Sequence, residues 1–177
     1  MKTVRILLWL PVVGFVIVLG LVASGLLRPH DTTIRSRMVG QKLPAFSLPS
    51  VQGNAPPLTP AGFADGTPRL VNFFASWCVP CAAEAPELMQ LKQAGVPIVG
   101  VAVRDLPADT LGFLRRNGDP YSRLVRDDAA TMQIALGSSG VPETFLIDGK
   151  GVIRAQHIGQ ILPEEVPALV AQVRALR

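Results

Sequence analysis

The only two cysteines of this 177-residue chain, Cys78 and Cys81, form one Cys-x-x-Cys set between two different kinds of sequence. Before it, residues 69–75 (RLVNFFA) are nearly all apolar, the pattern of a strand covered on both faces. After it, EAPELMQLKQA has helical content up to the stop at Gly95, with Pro86 inside the helix and expected to kink it. A strand that runs into a Cys-x-x-Cys at the mouth of a helix constrains the fold and the chemistry together. A spacing of three is about one helical turn, so both sulfurs lie on one side, close enough to bridge. Helix N-terminal amides and the macrodipole favour an anion at the first sulfur. Cys78 is therefore the expected nucleophile and Cys81 the more buried, resolving cysteine. Pro80 removes a backbone donor and stiffens the loop, and Trp77 shields one side of Cys78.

Other uses of the pair fit poorly. A zinc site needs about four ligands, and the only histidines are His30 and His157. A c-type haem site needs Cys-x-x-Cys-His, and residue 82 is Ala. A structural disulfide across so short a loop constrains little. Copper delivery calls for another cysteine spacing. A peroxidase needs a Pro-x-x-x-Thr-x-x-Cys context that Asn-Phe-Phe-Ala-Ser-Trp-Cys does not offer.

The rest of the chain reads as β-α-β-α-β-α-β-β-α. Residues 97–103 (PIVGVAV) form a second buried strand, 107–116 a helix ended by Asn117-Gly118, 122–126 a weaker strand and 129–136 a short helix. Residues 144–147 and 152–157 are strands around the turn signal Asp148-Gly149-Lys150-Gly151, and 163–176 are an amphipathic helix. Upstream, residues 43–49 (LPAFSLP) read as a short edge strand and 53–60 as a proline-rich loop. Asn72, inside its strand, reads as a satisfied core polar group. The expected class is α/β: a central mixed sheet flanked by helices, parallel first and antiparallel later.

Residues 6–27 carry no charge and are long enough, at about 1.5 Å per residue, to cross a hydrocarbon core of roughly 30 Å. They read as a single transmembrane anchor, with residues 1–5 a cytoplasmic end, 28–41 a tether and 42–177 the folded domain. The expected location is the inner membrane, single-pass, with the catalytic domain on the periplasmic side. Lys2 and Arg5 begin the chain like a signal sequence, although Arg28, Arg35 and Arg37 weaken the charge asymmetry. Five basic residues and one acid lie before Met38, leaving twelve of each beyond it. A domain of net charge zero offers no phosphate-binding surface, so nucleic acid is excluded as a partner.

The run from Asn72 to Cys81, then Glu84 and Pro86, and the later Val141-Pro142 before a strand resemble the thioredoxin superfamily. More narrowly, Glu84, the Gly140–Asp148 run (GVPETFLID) and the LPxFxLP opening resemble the DsbE/CcmG thiol:disulfide interchange proteins of cytochrome c biogenesis. The resemblance implies a thioredoxin-like fold without cofactor or metal. It implies that Pro142 is a cis-proline facing the cysteines. The backbone at Val141 would then be kept open to an incoming peptide strand. It also implies that Glu84 and Glu143 make the active-site surroundings acidic. Without the family, Glu84 reads as a partly exposed helix-face residue and Glu143 as a strand-end carboxylate. The implied function is reduction of apocytochrome c cysteines before haem attachment, directly or through a maturation intermediary. The implied electron donor is a transmembrane thiol-disulfide transporter. The alternatives are an anchored reductase for another extracytoplasmic client and a redox-regulated binding module without turnover. One departure stands out: Ser138-Ser139-Gly140 lies where an aromatic residue often precedes the glycine.

Overall fold

Five strands form one sheet: β1 Arg69–Phe74, β2 Ile98–Val103, β3 Arg123–Asp127, β4 Glu143–Ile147 and β5 Ile153–Ile158, in the order β3-β2-β1-β4-β5. The structure is a computed structural model and describes residues 14–15, 18–19, 37–53 and 55–177. β1, β2 and β3 run parallel, β4 is antiparallel to β1, and β5 is antiparallel to β4. The apolar runs lie at the centre, where both faces are covered: every residue of β2 is buried, as is every residue of β1 after Arg69.

The helices are α1 Val79–Ala83, α2 Ala85–Gln93, α3 Pro107–Asn117, α4 Thr131–Ala135 and α5 Val166–Arg174. Strand alternation divides the core into two layers. Leu70, Phe74, Ile98, Ala102 and Leu146 pack with Leu88 and Leu91 of α2, Phe113 and Leu114 of α3, and Leu169 and Val173 of α5. Val71, Phe73, Val99, Val101, Phe145 and Ile147 pack with Met132 of α4 and with Leu43, Leu48, Leu58 and Phe63 from the segment before β1.

Several elements differ from expectation. The helix after the cysteines is broken rather than kinked. Pro86 has no amide to offer the Ala82 carbonyl, so α1 ends at Ala83 and α2 restarts beyond Glu84, whose carbonyl accepts from both Glu87 and Leu88 amides (3.1 Å each). Residues 43–49 form no strand. Two prolines interrupt their ladder, and only single bridges join Leu48 to Leu58 and Ser50 to Val125. The last helix is preceded by a 3-10 turn, Pro163–Glu165, and a second such turn, Pro60–Phe63, had no counterpart in the sequence reading. Met38 to Gln41, expected in the tether, lie against β5, with the Gly40 amide 2.7 Å from the Ile153 carbonyl.

The expected location is also corrected. Among the described residues no helix is long and apolar enough to cross a membrane, which overturns the single-pass inner-membrane placement with a periplasmic catalytic domain. The chain divides into two units, Met1–Thr32 and Thr33–Arg177. In the first, Gly14, Phe15, Val18 and Leu19 are helical and exposed. The remainder of the expected anchor at 6–27, the end at 1–5 and most of the tether lie outside the described residues.

One glycine fits the sheet to the site. Gly100 pairs with Asn72, and a Cβ at Gly100 would stand 2.6 Å from the Tyr121 ring. Tyr121 stacks on Phe74, centroids 4.9 Å apart, and its hydroxyl donates to Asn72 Oδ1. We expect Gly100→Ala to displace this ring and cost about 1–3 kcal/mol in urea unfolding. Unchanged stability would mean that the ring moves freely.

Candidate active site

The path into the site begins where β1 ends. Asp105, in the loop after β2, accepts from the Ser76 amide and hydroxyl (2.7 Å each) and from Thr110 Oγ1 (3.0 Å). This clamp fixes the two residues before Cys78, and Trp77 Nε1 donates to the Arg104 carbonyl at 3.4 Å. Cys78 then caps α1: its Sγ accepts from the Cys81 amide at 3.2 Å. The two sulfurs are joined as a disulfide, with Cα atoms 5.3 Å apart. Cys78 is 6% exposed and Cys81 2%, inside an open rim of Trp77, Val79 and Pro80.

Across from the cysteines, the Val141–Pro142 peptide is cis. Val141 packs against the cluster that holds both sulfurs, and Pro142 is buried. No hydrogen bond among the described residues uses the Val141 amide or carbonyl. Trp77, Cys78, Cys81 and Val141 are thus gathered at one end of the sheet.

The two carboxylates lie on opposite faces. Glu84 is not a partly exposed helix residue; it is 1% exposed. The helix break turns it inward, where Oε1 accepts from Asn72 Nδ2 (3.0 Å) and Oε2 from the Ile161 amide (3.0 Å). Asn72 also donates to Thr144 Oγ1 and accepts from the Tyr121 hydroxyl at 2.8 Å, so the strand asparagine is a satisfied core group. Burial pushes the Glu84 carboxyl up to about 7, against the Ile161 and Asn72 hydrogen bonds and the nearby His157, which favour the anion. Burial likewise holds the Tyr121 hydroxyl well above the usual phenol range, helped by the charges of Glu84 and Asp119.

Glu143 pairs in register with Phe73, on the other face of the sheet, and is fully buried. Its Oε2 accepts from Ser138 Oγ (2.6 Å) and the Ser139 amide (2.8 Å), and its Oε1 from Gln156 Nε2. It holds the 138–140 loop from beneath. Sequence reasoning missed Asp105, Tyr121, Thr144 and the Ile161 amide as parts of the site. The asparagine in the middle of an apolar strand was the one signal of a buried polar network. Among the described residues no three His, Cys, Asp or Glu side chains are grouped to hold a metal ion.

The family model described as Redoxin matches residues 38–173, which sets the chain among the thioredoxin-like redox proteins. The thiol:disulfide interchange protein HelX of Rhodobacter capsulatus is 42% identical over 129 residues, 73% of each chain. DsbE of Pseudomonas fluorescens biotype C is 40% identical over 158 residues, covering 89% of this chain and 86% of its own. A crystal structure of a DsbE-type protein from Chlorobium tepidum superposes with TM-score 0.64 at 28% identity, over 78% of this chain and 96% of that one. The chain belongs to the DsbE/HelX family of thiol:disulfide interchange proteins.

Glu84 links folding to pH. Folded, it titrates near 7; unfolded, at about 4.3. Between these values the folded protein holds a proton that the unfolded chain has released. Stability therefore falls as pH rises through the window, and the full penalty is present above it. Glu84→Gln removes this titration. We expect the stability of the oxidised variant, relative to the parent, to improve by on the order of 3 kcal/mol between about pH 4.5 and about pH 8. Urea unfolding at both pH values measures it, and a pH-independent difference refutes the assignment.

Proposed function

We propose that this protein reduces disulfides of apocytochrome c before haem attachment, directly or through a maturation intermediary. A transmembrane thiol-disulfide transporter then returns its own disulfide to the dithiol. The observation that carries the chemistry is the hydrogen bond from the Cys81 amide to Cys78 Sγ at 3.2 Å. The same donor would stabilise a thiolate at Cys78 once the pair is reduced. Cys78 attacks one sulfur of the partner disulfide. The Cys78–partner bond forms, the partner's S–S bond breaks, and the leaving thiolate takes a proton. Cys81, deprotonated, attacks Cys78, re-forming the internal disulfide and releasing the second partner sulfur as a thiol. Two electrons pass to the partner. Val141 and Pro142 present the backbone on which the partner strand is aligned.

The direction of electron flow is supported by Glu84; the names of the relatives, thiol:disulfide interchange proteins, support the exchange itself. Glu84 lies one turn beyond Cys81, beneath α1, and its negative charge opposes a second one at the sulfurs. Disfavouring the thiolate disfavours the reduced pair, which makes it a better electron donor. Glu143 supports the loop rather than adding charge beside the sulfurs.

Two outcomes are expected. Glu84→Gln lowers the Cys78 thiol pKa by about half a unit to one unit and shifts the reduction potential by about 15–30 mV toward oxidising values. Because Glu84 titrates near 7, both differences grow above that pH. A thiolate-absorbance titration and a glutathione equilibration measure them, and an unchanged or higher thiol pKa removes Glu84 from this role. The Cys81→Ser protein should trap an oxidised apocytochrome c peptide, or a maturation component, as a mixed disulfide at Cys78. Recovery of neither would overturn the client.

A further inference from the structure

We infer that the cleft between Trp77 and the 138–141 loop receives an extended partner strand carrying a carboxylate two residues from its reacting cysteine, and that Arg104 selects it. The inference rests on the reading of Cys78 as attacking sulfur and deepens it by naming the partner's chemistry.

The cleft has a volume of about 340 Å³, and its walls include Trp77, Val103, Arg104, Ser139 and Val141. It is open where Ser139 stands in place of the aromatic residue expected before Gly140. Its polar loop groups are already engaged. Ser138 Oγ and the Ser139 amide donate to Glu143, and Gln133 Nε2 donates to the Gly140 carbonyl at 2.8 Å. No carboxylate lines the cleft. Asp105, next in sequence to Arg104, is buried under its three donors from Ser76 and Thr110. Arg104 is exposed and makes no ion pair among the described residues, whereas Arg126 nearby is paired with Asp128 at 2.8 Å. The cleft therefore presents one exposed arginine with no ion pair among the described residues, beside the apolar Trp77, Val103 and Val141; on its other side Arg104 shares a pocket with Asp105 and Asp128.

The backbone at Arg104 adds an independent observation. Its φ is +48°, in the left-handed region that costs a non-glycine residue about 1 kcal/mol or more. The conformation is held from both sides: the Arg104 amide donates to the Asp127 carbonyl at 3.3 Å, and its carbonyl accepts from Trp77. An arginine is thus kept where a glycine would be less strained, beside the tryptophan that precedes the attacking cysteine.

The Val141 amide and carbonyl, unused among the described residues, define the occupant as a strand. In an extended strand, residues two before and two after the cysteine share its face. Those side chains point into the protein with the cysteine, and a carboxylate among them meets Arg104. The covalent step is the exchange already given: the partner disulfide is reduced and the Cys78–Cys81 dithiol is oxidised.

The test uses the reduced full chain and three peptides identical except at the residues two before and two after a single cysteine, which are Glu, Gln or Lys. Each peptide is supplied as its disulfide-linked homodimer. Stopped-flow second-order rate constants should favour the Glu over the Lys peptide by about fivefold, the order expected of exposed charge pairs. Arg104→Gln should compress this ratio to within twofold of unity, and Arg104→Glu should invert it. Because the ratio is internal to each variant, partial loss of folded protein does not mimic the effect. A parent ratio near unity, or a ratio retained in Arg104→Gln, overturns the inference. Failure of the underlying reading is seen separately: peptide captured by Cys78→Ser but not by Cys81→Ser would reassign the attacking sulfur, whatever the ratio.

Discussion

Much of the site depends on one buried contact, from Asn72 of β1 to the Glu84 carboxylate at the joint between α1 and α2. Pro86 creates the joint by denying the helix an amide, and the joint lets Glu84 turn inward. Beneath α1 its second oxygen binds the Ile161 amide, in the loop leading to α5. Asn72 in turn holds Thr144 of β4 and Tyr121, which stacks on Phe74. The helix that carries Cys81 is thereby tied to the central strand, to its antiparallel neighbour and to the C-terminal layer.

Such a contact is expensive unless every member is satisfied. Glu84 makes no ion pair among the described residues; it is held by neutral donors. An unpaired buried carboxylate relieves its desolvation by keeping a proton, which is why it titrates near 7. The charge beneath the sulfurs is therefore conditional on pH, whereas a carboxylate paired with arginine would be charged throughout.

The fold was largely legible because its strands are apolar runs and its turns are marked by glycine and proline. β1, β2, β4 and β5 fall within a residue or so of the sequence reading, as does the antiparallel placement of the last two. What failed was local competition. In residues 43–49 alternation was read as a ladder, but prolines prevent one, and Leu43 and Leu48 serve as plugs for the core instead. In the site, the Cys78–Cys81 pair was legible because its chemistry depends on spacing along the chain. The partners of Asn72 were not, since Tyr121, Thr144 and Ile161 meet it only through the register of the sheet and the path of a loop. Hydropathy places an asparagine in a strand; it does not say which side chains will reach it.

Glu84 and Glu143 show how far residue type alone falls short of role. The family resemblance assigns both glutamates to the surroundings of the cysteines, and both are buried. Asn72 and Phe73 are adjacent in β1 and point to opposite faces: Asn72 donates to Glu84, and Phe73 pairs in register with Glu143. Glu84 therefore lies under the helix that holds the sulfurs. Glu143 lies under the 138–140 loop, where it takes donors from Ser138, Ser139 and Gln156. The two serines where an aromatic was expected are the other half of the same arrangement. An aromatic side chain would hold the loop by packing; here hydroxyls and an amide hold it by hydrogen bonds from below. That exchange leaves the outer surface of the loop uncovered beside Val141. Glu143 thus holds from below the loop that lines the cleft, without lining the cleft itself.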